Sequence, residues 1–332
     1  MEIHRQIAHL PPSARGAVVA IGNFDGVHRG HQAVIAQARA QADRLKAPLA
    51  VMTFEPHPRA FFAPDLPPFR LTLLDAKARE LAPLGVDHLY VVAFDRAFAQ
   101  RSAHDFIAET LAADLGATCV VVGGDFKFGR GREGDIGFLE REAPAFGIQV
   151  SRVAHVAGAN GPIASRRIRE LLVQGALDEA AALLGRPWEI DGKVVHGDKL
   201  GRTLGYPTAN IDLGVQLRPS TGIYAVEVLI DGEKAWRGGV ASLGTRPTVG
   251  GQDLRFEVHV FDFSGDLYDR SLRVRLVSYL RPEMVLDGLD ALVAKIKEDE
   301  ARARAILASR GTVDAGSSIK NKSGAAPGRD RR

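Results

Sequence analysis

One cysteine, Cys119, is all that the 332-residue sequence contains. No intrachain disulfide can form, so the fold must rest on apolar burial, and a reducing, cytoplasmic setting is expected. Cys119 falls in the apolar run 118–122, where a buried structural thiol is the expectation and a nucleophile the alternative. No stretch approaches the ~20 apolar residues that cross a bilayer. His4, Arg5, His9, Pro11 and Pro12 leave no apolar leader near the start. Internal repeats and a Walker A string are missing too. The net charge of +3 is matched by segment 312–332 alone, which carries five basic and two acidic residues. The body is therefore close to neutral, which argues against nucleic acid as a partner. Rich in Gly, Ser and Ala, that segment is expected to be a disordered, solvated tail, with a basic interaction arm as the alternative.

What is present is globular: 45% hydrophobic and 25% charged residues, enough for two domains. Up to residue 185, strand-like runs at 17–21, 49–54, 88–94, 118–122 and 148–153 alternate with helical patterns at 31–46, 75–84, 103–115 and 135–146. Val34, Ile35, Ala38, Ala42 and Leu45 recur at helical spacing. Continuous apolar strands between amphipathic helices predict a doubly wound parallel sheet, closed by helices at 166–174 and 177–184. After Gly185-Arg186-Pro187 the pattern turns to strands at 188–195, 223–230, 236–241, 256–261 and 272–280, with a hairpin signal at Asp231-Gly232. A helix at 289–307 follows, presenting Leu292, Val293, Ile296, Ile306 and Leu307. A small β-barrel with a C-terminal helix is predicted. The expected domains are thus 1–185 and 186–311, with 312–332 as tail.

Two segments carry chemistry. Gly22 to His31 reads G-N-F-D-G-V-H-R-G-H. A strand ending in Gly22, Phe24, Asp25 and Gly26 before a helix exposes backbone N–H groups where the helix dipole favours an anion. His28 and His31, three apart at that end, can donate to charge building on an α-phosphate. A tight turn with two surface histidines and an i, i+3 metal pair are the other readings. Gly197 to Asn210 reads G-D-K-L-G-R-T-L-G-Y-P-T-A-N. Gly197, Gly205 and Lys199 suit close approach to a polyphosphate. Thr208 and Asn210, two apart on an extended segment, offer neutral oxygens to magnesium. Glu257, in the strand run 256–261, can act as a general base toward a neutral hydroxyl, or be a solvent-facing strand residue. The string Gly129 to Gly134 matches G-x-G-x-x-G but follows no strand directly, and is read as a basic loop.

In this order, the motifs resemble those of prokaryotic bifunctional FAD synthetases, whose first half belongs to the His-x-Gly-His nucleotidylyltransferases. Thr53-Phe54-Glu55-Pro56-His57-Pro58 and Val122-Gly123-Gly124-Asp125-Phe126-Lys127-Phe128-Gly129 support the likeness in the first half. Pro207-Thr208-Ala209-Asn210, Gly244-Thr245-Arg246-Pro247-Thr248 and Arg281-x-Glu283 match riboflavin kinases in the second. The resemblance spans about residues 15–308. It implies riboflavin phosphorylation by ATP to FMN in the barrel, and adenylylation of FMN to FAD with release of pyrophosphate in the α/β domain. Magnesium accompanies ATP in both steps. It further implies that Pro56, Pro58, Phe62, Phe128, Arg281 and Glu283 border flavin, ordinary core packing being the alternative for Phe62 and Phe128. Asp125 falls at the nucleotide site, Thr208 and Asn210 on the metal, and Glu257 as the base. One signature departs: Ala164-Ser165-Arg166-Arg167-Ile168-Arg169 stands where Ser-Ser-Thr-x-Ile-Arg is usual. Ser165 and Arg169 are kept for the nucleotide, and Arg166 could replace a lost hydroxyl by a charge-assisted contact. Asp269 and Val285-Leu286 are smaller departures. The rival expectations are a riboflavin kinase with weak adenylyl transfer and a non-catalytic flavin- or nucleotide-binding regulator. A monomer or weak homo-oligomer is expected.

Overall fold

The computed structural model describes residues 1–154, 156–158, 161–196, 205–248 and 251–314. Strands β1 (Glu2–His4), β2 (Val18–Ile21), β3 (Leu49–Glu55), β4 (His88–Ala93), β5 (Cys119–Gly123) and β6 (Gln149–Val153) form one parallel sheet, in the order β1-β4-β3-β2-β5-β6. Between and after them come helices α1 (Arg29–Leu45), α2 (Pro58–Phe62), α3 (Leu74–Leu81), α4 (Ile136–Glu142), α5 (Ser165–Val173) and α6 (Leu177–Leu184).

Alternate strand residues face opposite layers. Val19, Met52, Tyr90 and Val120 pack with Ile107, Leu111 and Leu139 on one side. Val18, Val51, Leu89 and Val121 pack with Ile35 and Ala38 of α1 and Leu81 of α3 on the other. Burial on both faces explains why these strands read as continuous apolar runs. From β2 the sheet grows through β3 and β4 on one side and through β5 and β6 on the other. The crevice at the C-terminal ends of β2 and β5 is therefore the topological switch point, where ligands bind in such sheets.

The second half is a closed antiparallel barrel of β7 (Trp188–Val195), β8 (Ala209–Ile211), β9 (Gly222–Ile230), β10 (Arg237–Thr248), β11 (Gly251–Val260) and β12 (Ser271–Arg281), ordered β7-β8-β11-β10-β9-β12. Residues 231–236 join β9 to β10 in a hairpin, with a turn at Asp231-Gly232 as the sequence suggests but in a longer connection than a two-residue loop. Helix α7 (Leu289–Asp314) lies outside, with Ala303, Ile306 and Leu307 against Ala225, Phe261 and Leu280.

Several expectations needed correction. β1 and β8 were not anticipated, because three residues are too few to show alternation. β10 and β11 run beyond 236–241 and 256–261, since they pair with each other up to Thr248 and Gly251 and need no barrel-facing pattern there. The helical segment expected at 103–115 is α-helical only at Ala103–Asp105 and winds as a π-helix over Phe106–Asp114. The last helix continues past 307 to Asp314, so residues 312–314 extend a helix already propagating through good helix formers. The rest of the expected tail, 315–332, lies outside the described residues.

α5 and α6 do not close the sheet layer alone. Ile168, Leu171, Leu172, Leu177 and Leu184 are buried in one cluster with barrel residues Trp188, Tyr224, Val226 and Leu276. The Ser220 N–H also donates to the Leu172 carbonyl at 3.1 Å. The two halves of the chain thus share a core. Leu172→Ala should lower the free energy of unfolding by about 2–5 kcal/mol, the cost of a large-to-small change in a packed core. Denaturant titration of the full chain checks this, and a loss well under 1 kcal/mol would show that the helices only lean on the barrel.

Candidate functional site

The turn after β2 is bent in an uncommon way. Phe24 (φ 47°), Val27 (φ 42°) and Gly26 (φ 91°) are all left-handed, and a β-branched residue there is strained. Asp25, only 1% exposed, holds the turn. Its Oδ1 accepts the backbone N–H groups of Leu71 (2.9 Å) and Thr72 (3.1 Å), and its Oδ2 pairs with the Arg169 guanidinium. Thr72 Oγ1 accepts the Gly26 N–H at 3.0 Å, and Ser165 Oγ donates to the Asp25 carbonyl at 2.8 Å. A Cβ on Gly26 would meet Leu71 Cδ1 at 2.9 Å.

His28 sits at the N-cap of α1, where its Nδ1 accepts the His31 N–H at 3.3 Å. That bond needs a lone pair on Nδ1, so the neutral ring carries its hydrogen on Nε2. The two imidazoles stack, with centroids 3.6 Å apart and planes 15° from parallel. Phe24 lies 5.1 Å from the His31 ring. Gly30 permits this arrangement, because a Cβ would lie 3.1 Å from the His28 ring and 3.2 Å from the Ile163 carbonyl. Burial lowers the pKa of His28 to about 4. Burial first, then His28 and Lys77, holds His31 well below its ordinary value. Both rings are therefore neutral at pH 7. Nδ1 of His31 is buried without a hydrogen-bond partner among the described residues.

Lys77 and Arg70, which join Thr53 and Glu55 at this site, were not found from sequence. Lys77 is fully buried, its Nζ donating to Thr53 Oγ1 at 2.8 Å and lying 3.6 Å from Glu55 Oε1. Thr53 in turn donates to the Asn23 carbonyl. Arg70 forks onto both oxygens of Glu55, at 2.6 and 3.0 Å. Burial, then Arg70, lowers the pKa of Lys77 to about 8, against the pull of Glu55 and Asp25. One signal was available: Leu74, Lys77, Ala78 and Leu81 form an i, i+3, i+4, i+7 stripe, and a lysine on an apolar stripe calls for a buried partner.

The remaining expected residues of this half ring the same end of the sheet. The Gly22 N–H donates to the Met52 carbonyl. Asp125 is exposed just beyond β5. Exposed Pro56 and half-buried Pro58 lead into α2. Phe62 is 68% exposed and stands edge-on to Phe61 and Phe94 at 5.2 and 5.7 Å. From Phe94 an aromatic row runs through Phe98 and Phe106 to Phe128, so Phe62 is its open end and Phe128 its buried end. The Arg166 side chain is 87% exposed and pairs with Glu170 at 3.0 Å. Ala164 caps α5 without a side-chain hydrogen bond. The 129–134 string does follow a strand directly, contrary to expectation, because two-residue strands leave no pattern; it forms the turn of the small hairpin of Lys127–Phe128 and Gly134–Asp135.

On the barrel, Asn210 of β8 is the cross-strand partner of Glu257 on β11, and Ser242 of β10 flanks Glu257 on its other side. Ala209, Ile211, Phe256 and Val258 point into the barrel core, so Asn210 and Glu257 face outward together. Thr208 Oγ1 joins them, donating to Glu257 Oε2 at 3.3 Å. His259 contacts the Pro207 carbonyl at 2.8 Å, fixing the motif's start. Gly205 is exposed and left-handed (φ 81°). Gly197 and Lys199 lie outside the described residues. The Glu283 carboxylate rests against Gly244, where a Cβ would displace it. The Arg281 guanidinium is engaged by Asp299 of α7, at 2.6 Å from its Oδ2.

The barrel also grips the first site. Trp188 Nε1 donates to the Leu71 carbonyl at 2.8 Å, beside the N–H groups that bind Asp25. Arg186 donates to the Gly26 carbonyl and pairs with Glu80. Arg70 exchanges backbone hydrogen bonds with Val215 and Leu217.

A family model described as FAD synthetase matches residues 10–167, and one described as riboflavin kinase matches residues 184–307. The bifunctional riboflavin kinase/FMN adenylyltransferase of Escherichia coli K12 is 44% identical over 305 residues, covering 92% of this chain and 97% of that protein. Its counterpart in Pseudomonas fluorescens is 44% identical over 312 residues, covering 93% and 98%. A crystal structure from Streptococcus pneumoniae, described as a macrolide-efflux protein, matches with TM-score 0.81 at 33% identity, over 91% of this chain and 98% of that one. Among the described residues no helix is long and apolar enough to cross a membrane. The chain belongs to the family of bifunctional riboflavin kinase/FMN adenylyltransferases.

Proposed function

We propose that the barrel transfers the terminal phosphate of ATP to riboflavin, giving FMN, and that the α/β domain joins FMN to the adenylyl group of a second ATP, giving FAD and pyrophosphate. The observation that carries this reading is the assembly of two separate groups: the stacked His28–His31 pair at the switch point, and Thr208, Asn210 and Glu257 on one outward face. The first activity is assigned to residues 186–311 and the second to 1–185, although α5 and α6 are buried with the barrel.

In the kinase site, Glu257 takes the proton as the ribityl hydroxyl attacks phosphorus, a step a neutral alcohol needs. Oxygens of Thr208 and Asn210 suit a hard cation; with the nucleotide bound they would hold magnesium, which offsets charge on the phosphates. In the adenylyl site the attacking FMN phosphate is already an anion and needs no base. His28 and His31 donate N–H groups to charge on the α-phosphate oxygens as pyrophosphate leaves. Arg70, Lys77 and Arg169 outnumber Asp25 and Glu55, so the pocket retains positive charge for the triphosphate. The exposed end of the phenylalanine row, at Phe62, suits an isoalloxazine ring. Chemistry on ATP and flavins suits the cytoplasm, and the near-neutral body suits small molecules rather than nucleic acid as substrates; a monomer or weak homo-oligomer belongs to the same reading.

Two variants test the division of labour. Glu257→Gln should slow FMN formation by about 100-fold or more, the usual cost of losing a general base, and leave FAD formation from supplied FMN intact. His28→Ala should do the reverse, cutting FAD formation by about 100-fold, the scale of one transition-state donor. Chromatography of the products from riboflavin or FMN, ATP and magnesium reads both; parallel losses in each variant would sink the assignment.

Acid provides a second test. His28 and His57 are depressed to about 4, chiefly by burial, and His31 also lies low. The unfolded chain, whose histidines titrate near 6.5, then binds more protons than the fold between pH 6.5 and 4. Stability should be full above pH 6.5 and fall as the pH drops toward 4. His28→Asn should flatten that slope in denaturant titrations at pH 7, 6 and 5, and an unchanged slope would contradict the buried neutral imidazole.

A further inference from the structure

The far edge of the sheet holds a second cluster of ligating side chains. β1 pairs in parallel with β4 so that Glu2 lies opposite His88 and His4 opposite Tyr90. Glu2, His4 and His88 therefore share one side of the edge pair. His4 Nε2 lies 3.2 Å from His88 Nδ1, and Glu2 Oε2 lies 3.6 Å from the first and 3.7 Å from the second. Among the described residues this is the one group of three histidine, cysteine or acidic side chains whose ligand atoms converge so closely.

We propose that Glu2, His4 and His88 form a zinc site that fastens the N-terminal strand to the sheet. Zinc bonds of about 2.0–2.1 Å set tetrahedral donor atoms about 3.3 Å apart, close to the spacing of this triad. Two imidazoles and one carboxylate are the donor set a borderline divalent ion prefers. The fourth position opens to solvent, because the Glu2 side chain is 67% exposed while those of His4 and His88 are largely covered. The competing arrangement is a simple hydrogen bond between the two rings, which leaves Glu2 as a loose partner.

The site stands apart from both reactions. His88 begins β4, whereas Phe94 of the aromatic row follows its end, about 20 Å away at the strand rise. The ion therefore acts structurally: β1 is three residues long with Ile3 exposed, and zinc would tie its side chains to His88 across more than eighty residues of chain.

The test uses the untagged full chain, stripped of metal by a chelator and titrated with zinc chloride in a calorimeter. One zinc per chain is expected, with affinity reduced at least about 100-fold in His4→Gln and Glu2→Gln, more than the loss of an outer-shell partner costs. These variants avoid the buried His88 and should form FMN and FAD at the parental rate, which shows they are folded. Zinc should also slow amide hydrogen exchange at Ile3 and His4 in the parent protein alone. Absence of binding, or binding that survives His4→Gln, overturns the proposal. Binding lost instead in His28→Ala would place the ion at the stacked pair and overturn it equally.

Discussion

Everything at the proposed adenylyl site hangs on one buried carboxylate. A lone ionised Asp25 in the interior would cost several kcal/mol. Here two backbone N–H groups, the Arg169 guanidinium and, at 3.9 Å, the Arg70 Nε share its charge. In return the carboxylate fixes a turn that Phe24 and Val27 would not adopt unaided, and that turn delivers His28 to the N-cap of α1. Strain in the turn and charge in the core are each tolerable only because of the other. The stacked imidazoles, kept neutral by the same burial, are the outcome.

The loop that feeds Asp25 its N–H groups is not free-standing. Trp188, Arg186 and the 215–217 segment hold it from the barrel side, and Leu71 belongs to the barrel's own cluster. Two chemistries that read as separable in the motif order are mechanically joined where the polypeptide crosses between them. The separation that remains is chemical. The group proposed for kinase chemistry lies on the outward face of β8 and β11, and a neutral hydroxyl is the nucleophile that would call for its carboxylate. The group proposed for adenylyl transfer lies at the sheet's switch point, and its nucleophile would carry its own charge.

Much of this was legible beforehand, for identifiable reasons. Apolar strands such as Leu49–Glu55 and stripes such as Val34, Ile35, Ala38 and Ala42 encode their burial in their own spacing. The glycine turn before two histidines, and the Thr-x-Asn pair, marked the segments that the fold gathers into the two candidate groups, because glycine turns and paired side-chain oxygens show in a short string. What escaped was information held between segments. The shared core of α5 and α6 with the barrel cannot be seen in either helix, whose apolar stripes suit any partner. The apolar stripe of α3 could have flagged Lys77 as buried, but its partners Thr53 and Glu55 come from another strand and leave no mark on the helix. Arg166, expected beside nucleotide phosphate, carries an exposed ion pair with Glu170 one turn on, a partner the motif reading did not consider. Short strands such as Glu2–His4 have too few residues to announce themselves at all.

The claim that Asp25 organises the adenylyl site while the kinase chemistry is independent of its charge is tested most directly by Asp25→Asn. Asparagine keeps the shape and an oxygen for the Leu71 and Thr72 N–H groups but loses the charge facing Arg169. FAD formation from FMN, measured beside FMN formation from riboflavin in the same preparation, should fall by about 100-fold, the cost of misplacing catalytic groups by about 1 Å, with the kinase rate preserved. FAD formation at the parental rate, or an equal fall in both reactions, would contradict the account.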